Sequence, residues 1–244
     1  MTAPGPAFPT ESGPVQCGRL DGADVHHVGY APAPWDWADW EHARSGRFQG
    51  RWDDPEGHWR AKYVSASPVG CYLEVLAAFR PDPDVQADMD LIECDDEADA
   101  TVPPGSLDPS WCGARLFCSA RLSGDFAVPG HHETLPTLRE HFLDQARRLG
   151  VDDVDAATVR MSAPRELTQS ISAWIYELVG PDGQRIDGIQ YPSKHGDDFV
   201  LWAIYERGGT DSPAEVTDRS EPRVITPDDE ALREAMRIHR IEWL

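Results

Sequence analysis

The sequence predicts a single α+β domain, and three observations carry that reading. "AKYVSAS" (Ala61–Ser67) alternates in the manner of a strand and runs straight into a capped helix. "IDGIQYPSKHGDDFVLWAIYER" (Ile186–Arg207) reads as two strands around a polar loop. The phosphate-loop and dinucleotide signatures of doubly wound folds are missing: there is no G-x-x-x-x-G-K-[ST], and no strand followed by G-x-G-x-x-G.

Residues 1–34 are rich in proline and glycine and lack periodicity, so they read as an irregular N-terminal extension before a domain spanning 35–244. "WDWADWEHA" (Trp35–Ala43) reads as a short helix or turn pinned to the core by its indoles; a base-stacking platform would need a basic groove beside it. In the strand at Ala61–Ser67, Tyr63 and Ser65 share one face. Ser67 and Pro68 supply an N-cap and a proline at the first helical position, where its missing N–H is harmless. The helix should run to about Phe79, with Cys71, Tyr72, Val75, Leu76 and Phe79 as its apolar face and Glu74 off that stripe.

The acidic "ECDDEADATVPPGSLDPS" (Glu93–Ser110) reads as a solvated loop. A strand is expected at Gly113–Leu122 and a helix at Glu133–Leu149, closed by Gly150. Leu167, Ile171, Trp174, Ile175 and Leu178 mark a helix over Pro164–Leu178. "PDDEALREAMRIHRIEWL" (Pro227–Leu244) makes an amphipathic terminal helix. No internal repeat interrupts this order.

Composition narrows the function. The 244 residues carry a formal charge of −21, with only two lysines, Lys62 and Lys194. Such a chain repels nucleic-acid phosphates, so no DNA or RNA partner is expected. An anionic small ligand would have to be held by locally placed arginines. No apolar run approaches the ~18 residues of a membrane span, and "MTAPGPAFPTESGP" lacks the charged and apolar regions of a signal peptide. A cytoplasmic protein with no membrane association is expected. Cys17, Cys71, Cys94, Cys112 and Cys118 are odd in number and include no Cys-x-x-Cys, which disfavours a disulfide framework and a zinc knuckle.

Metal and acyl-transfer chemistry find little support. His26-His27 and His131-His132 are adjacent pairs whose side chains should point apart, and there is no His-Glu-x-x-His, so no metal is expected. Ser193 does not lie in a G-x-S-x-G elbow.

Two stretches remain: "GRWDDPEGHWRAKYVSASPVGCYLEVL" (Gly50–Leu76) and "GIQYPSKHGDD" (Gly188–Asp198). Together they resemble the RES-domain family, named for its Arg, Glu and Ser. In that family a Gly-Arg-Phe/Trp-Asn turn precedes a strand and a helix carrying the glutamate, and a Gly-hydrophobic-x-Tyr-x-Ser strand comes much later. The Tyr63-to-Glu74 offset of eleven (74 − 63) fits, as does Arg51 twelve residues before Tyr63 (63 − 51). The resemblance covers roughly Trp35 to Arg207. Asp53 stands where the family often has Asn, "GCYLE" replaces the commoner Thr-Ala-x-x-Glu, and the stretch from Glu74 to Ser193 is longer than in compact members.

The resemblance implies a fold like that of ADP-ribosyltransferases, with a bent, mostly antiparallel β core and helices outside. It implies NAD as substrate, cleaved at the nicotinamide–ribose bond by hydrolysis, by phosphorolysis or by transfer of ADP-ribose to a protein. The reading favoured is an NAD glycohydrolase or phosphorylase; the alternatives are a protein ADP-ribosyltransferase and a non-catalytic nucleotide-binding module of the same fold. Many members are toxins with a companion antitoxin, which implies a protein partner; the oligomeric state is left open.

Glu74 reads either as an exposed helix glutamate or, by the resemblance, as the carboxylate that stabilises the cationic transition state. Arg51 is either a surface partner of Asp53 or Asp54, or the planar fork for a pyrophosphate. Arg47, four residues earlier, is a secondary candidate for a second phosphate contact. Tyr63 is a core tyrosine or a ring stacked on nicotinamide with its hydroxyl on the ribose. Ser193 is a turn serine or a hydroxyl on the ribose or carboxamide, with Tyr191 and Lys194 beside it.

Overall fold

A computed structural model of the chain describes residues 3–81, 103–161, 164–208 and 214–244. The first half contains β1 (Ala3–Thr10), β2 (Gly13–Tyr30), β3 (Ala61–Ser65), α1 (Pro68–Leu76), β4 (Ser106–Leu107), α2 (Ser110–Gly113) and β5 (Arg115–Ala127). There follow α3 (Thr134–Arg148), α4 (Ala156–Arg160), α5 (Arg165–Glu177), β6 (Gly188–Ser193) and β7 (Gly196–Tyr205). The chain closes with β8 (Glu215–Thr217), β9 (Arg223–Val224), α6 (Glu230–His239) and β10 (Glu242–Trp243). It divides into two compact units.

The first unit comprises Met1–Val25, Asp36–Ala66 and Ala120–Arg219. Its start corrects the sequence reading, because residues 3–10 and 13–30 are strands and not an irregular lead-in. β1 and β2 pair antiparallel, placing Phe8 opposite Val15, and both side chains are buried. Prolines at 4, 6 and 9 hid the strand. They are tolerated because β1 is an edge strand, and a register shift between Pro4 and Ala7 breaks the period-two pattern.

β3 pairs antiparallel with β7, and β7 with β6, setting Tyr63 opposite Ala203 and Ile189 opposite the same residue. β6 also pairs in parallel with the end of β5, and β8 runs antiparallel to β5. The sheet is therefore mostly antiparallel, as expected of the α+β class. Gly188 permits the close strand approach, since a Cβ there would collide with the carbonyl of Ala203. The predicted hairpin is present, with Lys194 and His195 as its turn.

α3 and α5 bury Leu138, Phe142, Ala146, Leu167, Ile171 and Ile175 in one core with Ile186, Ile189, Leu201 and Tyr205. Full burial of such a side chain contributes roughly 1.5–3 kcal/mol. The predicted spacing in α5 holds for Leu167, Ile171 and Ile175, while Trp174 and Leu178 pack at the margin. The Trp35–Ala43 stretch departs from its expected role. Its 3-10 turn at Trp40–His42 has no buried residue, and the indoles of Trp37 and Trp40 instead receive the guanidinium of Arg60.

The second unit comprises His26–Trp35, Ser67–Ser119 and Ser220–Leu244. α1 starts as predicted: Pro68 opens it and the Ser67 hydroxyl accepts from the Gly70 N–H at 3.0 Å. Its buried residues are Gly70, Cys71, Tyr72, Leu73 and Leu76, whereas Val75 and Phe79 are only half-buried. Packing against α6 turns the face toward Leu73, whose carbonyl accepts from the His239 ring at 2.8 Å. The Tyr72 hydroxyl donates to Asp229 at 3.2 Å, and Asp229 caps α6. The terminal helix stops at His239, earlier than predicted, because Arg240 turns left-handed and Glu242–Trp243 pair in parallel with β4.

The acidic stretch lies outside the described residues over 93–102; its remainder carries β4. Cys17, Cys71, Cys112 and Cys118 are buried thiols with no disulfide among them, and Cys94 lies outside the described residues. No helix among the described residues is long and apolar enough to cross a membrane.

The cap makes a first testable point. Ser67→Ala should lower stability by about 1 kcal/mol, the usual effect of losing an N-cap hydroxyl. Denaturant unfolding checks this, and an unchanged midpoint would contradict the assignment.

Candidate active site

The turn Gly50–Asp54 precedes β3 and holds its own backbone through side chains. The Gly50 N–H donates to the Asp53 carboxylate, and the Trp52 N–H donates to the Tyr63 hydroxyl at 3.0 Å. That hydroxyl in turn donates to Asp53 at 3.0 Å. From α5, Gln169 donates to the Gly50 carbonyl at 3.0 Å and Ser172 to the Trp52 carbonyl at 2.7 Å. Asp54 collects the N–H groups of Glu56 and His58. Gly50 is needed here, since a Cβ would strike the Tyr63 hydroxyl and the Asp53 carboxylate.

This bracing fixes Arg51, which is only 8% exposed. Its guanidinium donates to the Arg160 carbonyl at 2.7 Å and stands 5.4 Å from the centre of the Tyr191 ring. The Trp52 indole lies 5.7 Å from the same ring. These groups line a cavity of about 210 Å³. β6 contributes Gln190, Tyr191 and Pro192, the segment after β5 contributes Val128–Gly130, and α4 contributes Ala156, Val159 and Arg160. The Trp52 indole N–H is buried and has no acceptor among the described residues.

Arg51 and Tyr191 thus come together as candidate ligand-binding groups. Tyr63 does not line the cavity; its hydroxyl holds the turn, between Trp52 and Asp53. Ser193 is buried at the end of β6, next to the lining residue Pro192, and accepts from the His195 N–H at 3.0 Å. Arg47 is exposed and donates to the Pro55 carbonyl at 3.2 Å, and Lys194 is exposed in the hairpin turn. Neither lines the cavity. Glu74 stands on α1 of the second unit and is half-buried.

Trp52, Gln190 and Arg160 were not among the sequence candidates. Asp155, which caps α4 through the Thr158 N–H at 2.8 Å, was the available signal for the helix carrying Arg160.

Burial pushes the Asp53 carboxyl up to about 6, against the opposing pull of the Gly50 N–H, the Tyr63 hydroxyl and the charge of Arg165; Asp54 adds to the rise. Burial, with Asp53 and Tyr191 nearby, also pushes Tyr63 well above its ordinary range. An unfolded Asp titrates near ~3.9. The folded state therefore binds this proton more tightly, and stability falls as pH rises between roughly 4 and 6. The whole penalty stands above that window. Asp53→Asn should consequently melt at or above the parent near about pH 7.5 and lose that advantage near about pH 4.5. A variant melting well below the parent at the higher pH would contradict this.

The pair His131-His132 differs from expectation, whereas His26 and His27, successive on β2 and stacked on different rings, point apart as predicted. The rings of His131 and His132 face each other at 4.4 Å, and with Glu133 they bring donor atoms within 4.8 Å of one another. The group is largely exposed at the start of α3, where the helix dipole disfavours a cation. His26 stacks on Phe117 and His27 on Trp35.

The RES domain family matches residues 24–224 of the chain. Among solved structures, the chain is similar to one in the crystal structure of the M. tuberculosis MbcT–MbcA toxin–antitoxin complex, at 14% identity and a TM-score of 0.46. That alignment covers 91% of this chain and 92% of the other. No curated protein matches the chain.

Proposed function

Because the chain belongs to the RES domain family, we propose that it cleaves NAD at the nicotinamide–ribose bond, as a glycohydrolase or phosphorylase. The observation that carries this reading is Arg51, the family's arginine. It is buried in an acidic chain and aimed along a cavity wall beside Tyr191 and Trp52. A planar guanidinium grips a phosphate with two parallel hydrogen bonds. The aromatic walls suit a flat ring. The cavity is smaller than the ~300–1,000 Å³ of whole-ligand sites, so it takes one end of the dinucleotide.

Bond cleavage sends the electron pair of the C–N bond to the nicotinamide nitrogen and leaves positive charge on the ribose. Water then adds to that carbon and releases a proton to solvent, or phosphate adds through an anionic oxygen. Glu74 enters this reading through the motif alone, as the carboxylate that stabilises the developing charge. Ser193 enters in the same way, as a hydroxyl on the ribose or carboxamide. Tyr63 acts behind Arg51, through the turn. The toxin role and a neutralising protein partner belong to the same proposal; the gene next to this one is the first place to look for that partner.

Product identification tests the reading. With NAD, release of ADP-ribose in water or of a phosphorylated ADP-ribose in phosphate would support it. ADP-ribose attached to protein would reassign the chain as a transferase. Binding of NAD with no product under any acceptor condition would make it a nucleotide-binding module.

A further inference from the structure

We infer that Asp53 is a positioning residue for Arg51, holding with Tyr63 the backbone N–H groups of its two neighbours, Gly50 and Trp52, so that the guanidinium stays at the cavity. The inference rests on the reading of Arg51 as the anion anchor. Within that reading it assigns a role to a residue that touches neither the cavity nor its contents.

The geometry is a short relay. The peptide preceding Arg51 is tied through the Gly50 carbonyl to Gln169, and the peptide following it through the Trp52 N–H to Tyr63. The Tyr63 hydroxyl accepts from the Trp52 N–H and donates a hydrogen bond to Asp53, which also accepts from the Gly50 N–H. One carboxylate therefore holds the N–H of the residue before Arg51 directly and that of the residue after it through a hydroxyl. Gln169 and Ser172, three apart on α5, fix the carbonyls, but nothing on that helix replaces the two N–H contacts. Asp53 is 4% exposed, and Arg165 and Asp54 are the other charged groups acting on it. A buried carboxylate with two protein donors belongs to a built arrangement, because an unpaired one would be strongly disfavoured.

Asparagine at 53 can still accept from Gly50 and can donate to the Tyr63 oxygen, so it should keep the relay. Alanine should break it. Tyr63→Phe should release the Trp52 N–H alone.

Hydrogen exchange of the Gly50 and Trp52 amides, and the rate at which phenylglyoxal modifies Arg51, report the relay without any ligand. Asp53→Ala should speed exchange at both amides on the order of tenfold or more and raise Arg51 modification several-fold; Asp53→Asn should stay near the parent. Tyr63→Phe should speed exchange at Trp52 only. With NAD, Asp53→Ala should raise KM roughly tenfold with kcat within about twofold, rescued by Asp53→Asn. A purely structural role would instead lower the melting midpoint and the active fraction, leaving KM alone. Unchanged exchange and Arg51 reactivity in Asp53→Ala would overturn the inference, and so would faster exchange with KM unmoved. A parent that ignores NAD would remove the NAD reading, while the exchange and modification results would still decide for or against Asp53. If Asp53→Ala does not fold, Tyr63→Phe decides, with parent-like exchange at Trp52 counting against the relay.

Discussion

Glu74→Gln is expected to slow nicotinamide release on the order of 100-fold or more, the scale of losing one electrostatic contact that strengthens in the transition state. The charge on the ribose carbon develops only as the bond breaks, since ground-state NAD carries its positive charge on the nicotinamide ring. Substrate binding should therefore change less than the rate. Stability should move by only about 0.5 kcal/mol, because the swap is nearly isosteric and Glu74 is half-buried, on the side of α1 away from Leu73 and Leu76. Turnover measured beside the thermal midpoint checks both parts. A variant that melts like the parent and works at full speed would remove Glu74 from the chemistry.

Arg51→Ala should raise the apparent NAD requirement by roughly 10- to 100-fold, in line with about 1.5–3 kcal/mol for a hydrogen bond to a charged group. The loss should appear in binding. The turn itself is held by Asp53, Tyr63, Gln169 and Ser172, so it does not depend on the arginine side chain. Arg51→Lys should rescue only partly, because a point charge cannot reproduce a fork that already holds the Arg160 carbonyl. Equal NAD affinity in the parent and the alanine variant would contradict the anchor role.

Local signals carried much of the fold. The strand at β3, the Ser67–Pro68 helix start, the hairpin of β6 and β7 and the spacing of α5 all rest on near neighbours in sequence, and all are present. The misses are of another kind. Proline masked β1 because an edge strand tolerates what an inner strand would not. The face of α1 is turned by packing on α6, more than 150 residues later in the chain, as the 157-residue separation of Tyr72 and Asp229 illustrates. At the candidate site, Arg51 and Tyr191 were legible as residue types in a motif. Their neighbour Arg160 was not, since it meets Arg51 from 109 residues away. Tyr63 was legible as important but not in its role, which depends on where its proton goes. Asp53 differs from the family's usual Asn by one atom type, and only the closed turn shows what that carboxylate holds.

The central claim is that this chain breaks the nicotinamide–ribose bond of NAD. Its most direct test is the appearance of free nicotinamide when the purified full chain is incubated with NAD, run beside Glu74→Gln at matched melting midpoints. The account predicts steady release by the parent, in water or with phosphate added, and release slowed on the order of 100-fold or more by the variant. No nicotinamide above background from a folded parent, with water, phosphate and protein acceptors each supplied, would contradict it.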